Sequence, residues 1–337
     1  MTLDGPQSLQ VTKKRLTVAD RLREMSLGKA VSSILVIIAL GVAILSFVRE
    51  GSDLLRQPIQ LNIPLVLLSL LIASSGLLIA IHTWRRILAG YGVRQPIRHD
   101  LRIYSYSALG LILPGGIWAI VGRSAFYRRL GVSGLRIATA SVVETFVIGV
   151  AAMGVYAVSV IVRPDLSFWQ RPEIGLGFSL LVLLLIHPRV FNRLSGWMLR
   201  RSKRGEAILL VEFGLAELVG WICLESVVVL IGGLAWFVLL TSLIAVPGTV
   251  LVQMISAWAA ALAVGSLFFW LPGTAFLRDG AMIVALTPSL PMSVAVIFVL
   301  IVRIWSIASL LIIAGAVWLL LDRPHRAARG GDSPPLS

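Results

Sequence analysis

Charge is scarce in this chain. Only 14% of its 337 residues are charged while 58% are hydrophobic, and the mean hydropathy is +0.92, far from the balance of a water-soluble domain. That scarcity excludes an ordinary soluble fold, and no separate soluble domain of useful size fits between the apolar runs. Cysteine is nearly missing. The single Cys223 excludes an intrachain disulfide and any cysteine-based metal cluster. The four histidines, His82, His99, His187 and His325, are dispersed without metal-ligand spacing, so no metal site and no cofactor are expected. No Gly-x-x-x-x-Gly-Lys-Ser/Thr motif occurs, and no nucleophile and base stand out as a pair, so no catalytic residue is assigned and the chain is not expected to be an enzyme.

Acidic residues are the rarer sign. Sixteen Asp+Glu against thirty Lys+Arg leave a net charge of +14, which in a soluble protein would suggest nucleic acid. The basic residues instead gather at the ends of apolar runs, the pattern of the positive-inside bias and of contact with anionic lipid headgroups. They lack the basic, aromatic-interleaved groove that single-stranded nucleic acid requires, so nucleic acid is not an expected partner. About thirty largely polar residues precede the first apolar run and no small-residue cleavage site follows it, so a cleavable signal is not expected.

Apolar runs are what the chain has in abundance, many of them near the length of about 20 residues that crosses a bilayer as helix. Residues 1–29 form a basic segment with Lys13, Lys14, Arg15, Arg21, Arg23 and Lys29, expected in the cytoplasm. Spans are expected at 30–48, 63–84, 137–161, 174–186, 251–271 and 292–321, with 207–246 forming one long span or two short ones around Gly232-Gly233. Residues 323–337, rich in Gly, Pro and Ser, are expected to form a cytoplasmic, disordered tail. The expectation is an all-α, multi-pass bundle of the cell membrane with about eight transmembrane segments and both termini in the cytoplasm. The tryptophans at 84, 118, 169, 197, 236, 258, 270, 305 and 318 fall mostly near span ends, as interfacial anchors do.

The segment 103–121 is the exception to simple crossing. Basic clusters flank it on both sides, Arg94, Arg98 and Arg102 before it, Arg123, Arg128 and Arg129 after it, and both belong in the cytoplasm. Proline removes a backbone donor and glycine adds conformational freedom, so a re-entrant hairpin broken at Pro114-Gly115-Gly116 satisfies both clusters. A second Leu-Pro-Gly, with Pro272 and Gly273, closes the run 251–271 and is followed by Arg278-Asp279. The chain therefore reads as two copies of one unit, repeat one over 30–187 and repeat two over 207–322, with broken segments that face opposite leaflets.

A charge near the bilayer centre costs about 2.5 to 3.5 kcal/mol on insertion scales and usually faces the bundle interior or a polar cavity. Glu144 and Arg303 lie well inside their spans, at about equivalent positions of the two copies, which suggests that they pair. Arg123 and Arg278-Asp279 sit just past the two breaks, where guanidinium groups suit a phosphate. Glu217 and Glu225, eight residues apart, share one broad helical face, with helix packing the plainer role for Glu217. Pro114, Gly115, Gly116, Arg123, Glu144, Glu225, Pro272, Gly273, Arg278, Asp279 and Arg303 are the candidate substrate-pathway residues.

The order Leu113-Pro114-Gly115-Gly116-Ile117-Trp118, Gly122-Arg123, Tyr127-Arg128-Arg129, Gly131-Val132-Ser133 and Ala138 to Glu144 resembles the transmembrane region of lysylphosphatidylglycerol synthases, a family of flippase-like membrane proteins. The second Leu-Pro-Gly followed by Arg278-Asp279 looks like the family's Pro-Gly-Gly-x-Gly-x-Arg-Glu element. It departs from it by reading Pro-Gly-Thr-Ala-Phe-Leu-Arg-Asp-Gly, without the usual glycines and with Asp for Glu. The resemblance covers most of residues 30–322 and implies movement of a charged or glycosylated lipid between leaflets. The soluble aminoacyl-transfer domain of bifunctional members is not in this chain, so lysyl transfer is not expected of it. A lipid flippase or lipid-linked transporter is the leading expectation. A membrane anchor or scaffold that assists a glycosyltransferase or another cell-envelope enzyme is the alternative.

Overall fold

The apolar run that follows Asn62 holds no helix breaker beyond the proline of its first turn, and it forms the first described helix. In the computed structural model, residues 61–112, 117–162, 213–271 and 273–322 are described, with a few single positions between 181 and 193. Helix α1 spans Ile63–Gly90, opened by the Asn62 side chain, which accepts from the Leu65 amide, and by Pro64 at a position where no donor is needed. Two short helices follow, α2 (Ile97–Ala108), continued by a 3₁₀ turn over Leu109–Ile112, and α3 (Ile117–Arg128). Then comes the long α4 (Gly134–Val162). After the next described stretch begins, the sequence of elements repeats: long α5 (Leu215–Thr241), α6 (Val250–Leu267), short α7 (Thr274–Leu286) and long α8 (Met292–Val317), which ends in a π turn over Trp318–Asp322.

Among the described residues the fold is helical without a strand, and α1, α4, α5, α6 and α8 are long and apolar enough to cross a membrane, as a multi-pass membrane protein requires. Their outer faces carry Leu71, Leu78, Ile161, Ile304 and Leu320 exposed, an apolar surface too extensive for a soluble monomer.

α1 and α5 lie antiparallel. Asn62, at the start of α1, donates its amide to Ser242 O just past the end of α5 at 2.9 Å. At the far end of α1 the Tyr91 ring packs edge-on against Phe213, just before α5, at 5.7 Å. Midway, Gly76 allows close approach: a Cβ there would stand 3.2 Å from Ile231 Cγ2.

The pairs α2/α3 and α6/α7 each form a helical hairpin. In the first, Tyr127 of α3 reaches Asp100 of α2, Arg123 reaches Ser107, and Gly110 lies so close to Trp118 and Ala119 that a Cβ would meet their backbone at 2.7 Å. In the second, Gln253 of α6 donates to Ala285 O and Leu286 O of α7 at 3.2 and 3.0 Å. One hairpin begins where α1 stops and the other where α5 stops. Because α1 and α5 are antiparallel, the two hairpins open at opposite ends of the bundle. Packing is reciprocal as well: α4 lies along α6, and α8 lies against α2.

Several expected boundaries move. α1 continues past Trp84 to Gly90, so Arg85 and Arg86 are helical; Arg85 is accommodated by an ion pair with Asp100. The segment expected at 103–121 is two helices that begin at Ile97 and end at Arg128, which puts Arg98, Arg102, Arg123 and Arg128 on helices. The described part of the run 207–246, from residue 213, contains one helix, not two. Gly232-Gly233 does not interrupt it, because these glycines receive Trp258 and Ile255: a Cβ would come within 2.3 Å of Trp258 Nε1 or 2.6 Å of Ile255 Cα. The span expected at 30–48, all of that expected at 174–186 but Leu181 and Leu184, the break Pro114-Gly115-Gly116, Pro272 and both termini lie outside the described residues.

Candidate functional site

Arg123 is the centre of the buried polar structure. It is only 6% exposed, although it follows the break by a few residues and is flanked by the basic Arg128 and Arg129. Its Nη1 lies 2.5 Å from Glu144 Oε2, and its Nε approaches Ser107 Oγ at 3.4 Å. The guanidinium carbon stands 4.2 Å from the ring centroids of both Trp84 and Tyr104. A planar, weakly hydrated cation between two aromatic faces is held by the ring quadrupoles as well as by its carboxylate. Tyr104 completes the carboxylate by donating its hydroxyl to Glu144 Oε1 at 3.0 Å. Four helices supply this set: Trp84 from α1, Tyr104 and Ser107 from α2, Arg123 from α3 and Glu144 from α4.

A second chain of contacts runs from this pair toward the base of the hairpin. Trp84 Nε1 donates to Tyr127 OH at 3.0 Å, and Tyr127 OH donates to Asp100 Oδ1 at 2.6 Å. Asp100 Oδ2 pairs with Arg85 Nε at 3.0 Å. Burial pushes the Asp100 carboxyl up, while the Tyr127 hydroxyl and the Arg85 guanidinium draw it back. Asp100 is 1% exposed and Arg85 about one-third, so the network leads from buried Glu144 to a half-exposed cation.

Glu225 of α5 adds a third carboxylate. It is 2% exposed and lies near Thr83 and Glu144. Its Oε1 has no hydrogen-bond partner. The cluster thus holds two arginines, Arg85 and Arg123, against Asp100, Glu144 and Glu225. Glu217, on the same helix, is exposed and accepts from the Gly214 amide at 3.1 Å, a helix-capping role.

In the second unit the signs are exchanged. Asp279 of α7 pairs with Arg303 of α8 at 3.3 Å and with its neighbour Arg278 at 3.8 Å, and the Arg303 guanidinium lies 4.8 Å from the Phe276 ring. The first unit carries its cation on the hairpin and its anion on the long helix; the second carries its anion on the hairpin and its cation on the long helix. The Glu144–Arg303 pair suggested by their positions does not form, because each charge has a nearer partner on the hairpin of its own unit. Gly273 takes φ 91°, a conformation that needs glycine, and opens α7. Thr274 Oγ1 donates to Leu271 O at 2.6 Å, satisfying backbone freed at the break.

Reading the sequence missed Trp84, Asp100, Tyr104, Ser107 and Tyr127. Trp84 and Trp236 are core residues, not interfacial anchors: Trp84 is wholly buried, and Trp236 packs edge-on against Trp258 and Trp305 at 5.5 and 4.8 Å. One signal was present. Trp84 follows Ile63 by 21 positions and Trp236 follows Leu215 by 21, so the two tryptophans occupy the same place in their units. Asp322 also escaped notice; it pairs with Arg102 at 2.5 Å and accepts from Tyr106 OH at 2.6 Å, tying the end of α8 to α2.

No protein-family model, curated protein or solved structure matches this chain.

Proposed function

We propose that this chain moves a charged or glycosylated lipid between leaflets without covalent catalysis, as a flippase or lipid-linked transporter. The observation that carries this reading is the buried Arg123–Glu144 pair, set where a hairpin meets the long helices and accompanied by Glu225, a carboxylate with an unpartnered oxygen. Charges inside a membrane bundle are costly and mark substrate or ion pathways. Two hairpins that open at opposite ends, on antiparallel and equivalent long helices, support an inverted pair of re-entrant units, the arrangement that lets one site face either leaflet in turn. Arg123 and Glu144 would then meet the headgroup, and Asp279 and Arg303 would do so from the other hairpin.

The test is leaflet exchange of fluorescent anionic, zwitterionic and glycosylated lipids in proteoliposomes, with Glu144→Gln and Arg303→Gln compared with the unaltered chain. Faster exchange of one lipid class, lost in both variants while insertion is normal, is the expected outcome. A second reading has its own observation. Both carboxylate oxygens of Glu144 are engaged and Arg123 is enclosed by two rings, as in a pair that only holds helices together. That suits a membrane anchor or scaffold for a cell-envelope enzyme, and exchange no faster than in protein-free vesicles favours it.

A further inference from the structure

Two connections of the chain end in the same way and meet at one face. After α1, Gly92 takes φ 72°, its amide donates to Ala89 O, and the Val93 amide donates to Leu88 O. After α3, Gly131 takes φ 78°, its amide donates to Arg128 O, and the Val132 amide donates to Tyr127 O. Both are glycine closures that use up the helix-terminal carbonyls. Between them lies a cavity of about 330 Å³ lined by Gly92, Arg94, Gln95, Gly131, Ser133 and Arg136.

Three features of its wall select an oxyanion. Arg94 and Arg136 have no acidic partner among the described residues, and no carboxylate lines the cavity. The Nε of Arg136 is buried without a hydrogen-bond partner among the described residues, a donor whose desolvation none of them offsets. The 29-residue α4 starts at Gly134, next to the wall residue Ser133, so its positive end lies beside the same wall. The wall is also fixed in place: Arg85 donates to Gln95 O at 3.2 Å while it pairs with Asp100.

We propose that this cavity binds a phosphate group through Arg94, Arg136 and the first turn of α4. Two arginines beside the positive end of a helix match the three or four oxygens of a phosphate better than the two of a carboxylate. The phosphate belongs either to the headgroup of an anionic lipid or to free phosphate. Arg85 joins the cavity wall to the Asp100–Tyr127–Trp84 chain, so occupancy bears directly on the elements that hold Arg123. The site goes beyond the transport reading, since binding at equilibrium needs no lipid to cross.

The experiment is native mass spectrometry of the full chain in neutral detergent, titrated with phosphatidylglycerol and, as a phosphate-free control, diacylglycerol. The Arg94→Gln/Arg136→Gln protein is compared with Arg86→Gln/Arg98→Gln, which removes the same charge from exposed positions outside the cavity. Phosphatidylglycerol binding is expected to weaken about tenfold or more in the first protein and by less than about twofold in the second, with diacylglycerol unchanged. Displacement by millimolar inorganic phosphate means that the site reads the phosphate alone; retention assigns it to the lipid. Equal weakening in the two proteins overturns the proposal. Arg94 is exposed, so the single Arg94→Gln variant serves where the double is not monodisperse, and unchanged affinity there overturns it equally. Failure here leaves leaflet exchange untouched, and failure of exchange leaves this binding to be read on its own.

Discussion

Arg123 is held by a carboxylate, a serine hydroxyl and two aromatic rings, which makes the structural and transport contributions of this pair separable. Removing one member leaves an uncompensated buried charge, at a cost of about 3 to 5 kcal/mol, whereas replacing both by apolar residues is often neutral or stabilising. Glu144→Leu and Arg123→Met are therefore each expected to lower the unfolding temperature in detergent, and the double variant to recover most of the loss. A double variant that is stable yet inactive in leaflet exchange places the pair in transport; one that is as unstable as either single variant contradicts the pairing itself. At this scale the sequence was partly legible. Glu144, Arg123, Glu225 and Arg303 stand out as charges in apolar surroundings, but their partners do not. Trp84 and Tyr104 reach Arg123 across 39 and 19 positions, and no local period encodes such a contact.

The hairpins depend on backbone approach more than on side-chain chemistry. At Gly110 a Cβ would meet the backbone of Trp118 and Ala119 at 2.7 Å, and at Gly233 it would meet Ile255 Cα at 2.6 Å. In neither place is the obstacle a side chain that can swing away. Gly110→Ala should splay the arms of the first hairpin, and Gly233→Ala should push α6 off α5, each at about 1 to 3 kcal/mol, the usual cost of overpacking. Thermal scans in detergent check this, with Gly220→Ala, which meets nothing within 4 Å, as the control that should be unaffected or slightly more stable. The same glycines explain why 207–246 was ambiguous from sequence. A Gly-Gly pair reads equally as a break or as a place where another helix comes close, and only the neighbour, here Trp258 and Ile255, decides. The helix ends were misjudged for a related reason: Arg85 and Arg123 look like the ends of spans until their partners Asp100 and Glu144 are known.

For the whole molecule, the antiparallel α1 and α5 put the two hairpin bases at opposite ends. In a Cys223→Ser background, Ser133→Cys, at the base of the first hairpin, is expected to react with an impermeant maleimide from the cytoplasmic side only. Gly248→Cys, at the base of the second, is expected to react from the outer side only. Labelling of both from one side contradicts the inverted arrangement. The repeated Leu-Pro-Gly suggests two copies whose breaks face opposite leaflets, whereas the antiparallel pairing of α1 and α5 rests on the contacts Asn62–Ser242 and Tyr91–Phe213 between distant segments, which no local pattern encodes. The antiparallel seam also sets a timetable for synthesis. Gly76 and Ile231 are 155 positions apart (231 − 76), a gap that takes roughly eight to thirty seconds to translate at about 5–20 residues per second. Over that interval the first unit sits in the membrane without its counterpart. Arg123 and Glu144, only 21 positions apart, neutralise each other almost as soon as they emerge. A Glu144–Arg303 pair would have left a bare charge in the bilayer for the whole wait. An ion pair inside each unit thus lets Arg123–Glu144 and Asp279–Arg303 enter the membrane already paired, before the halves meet.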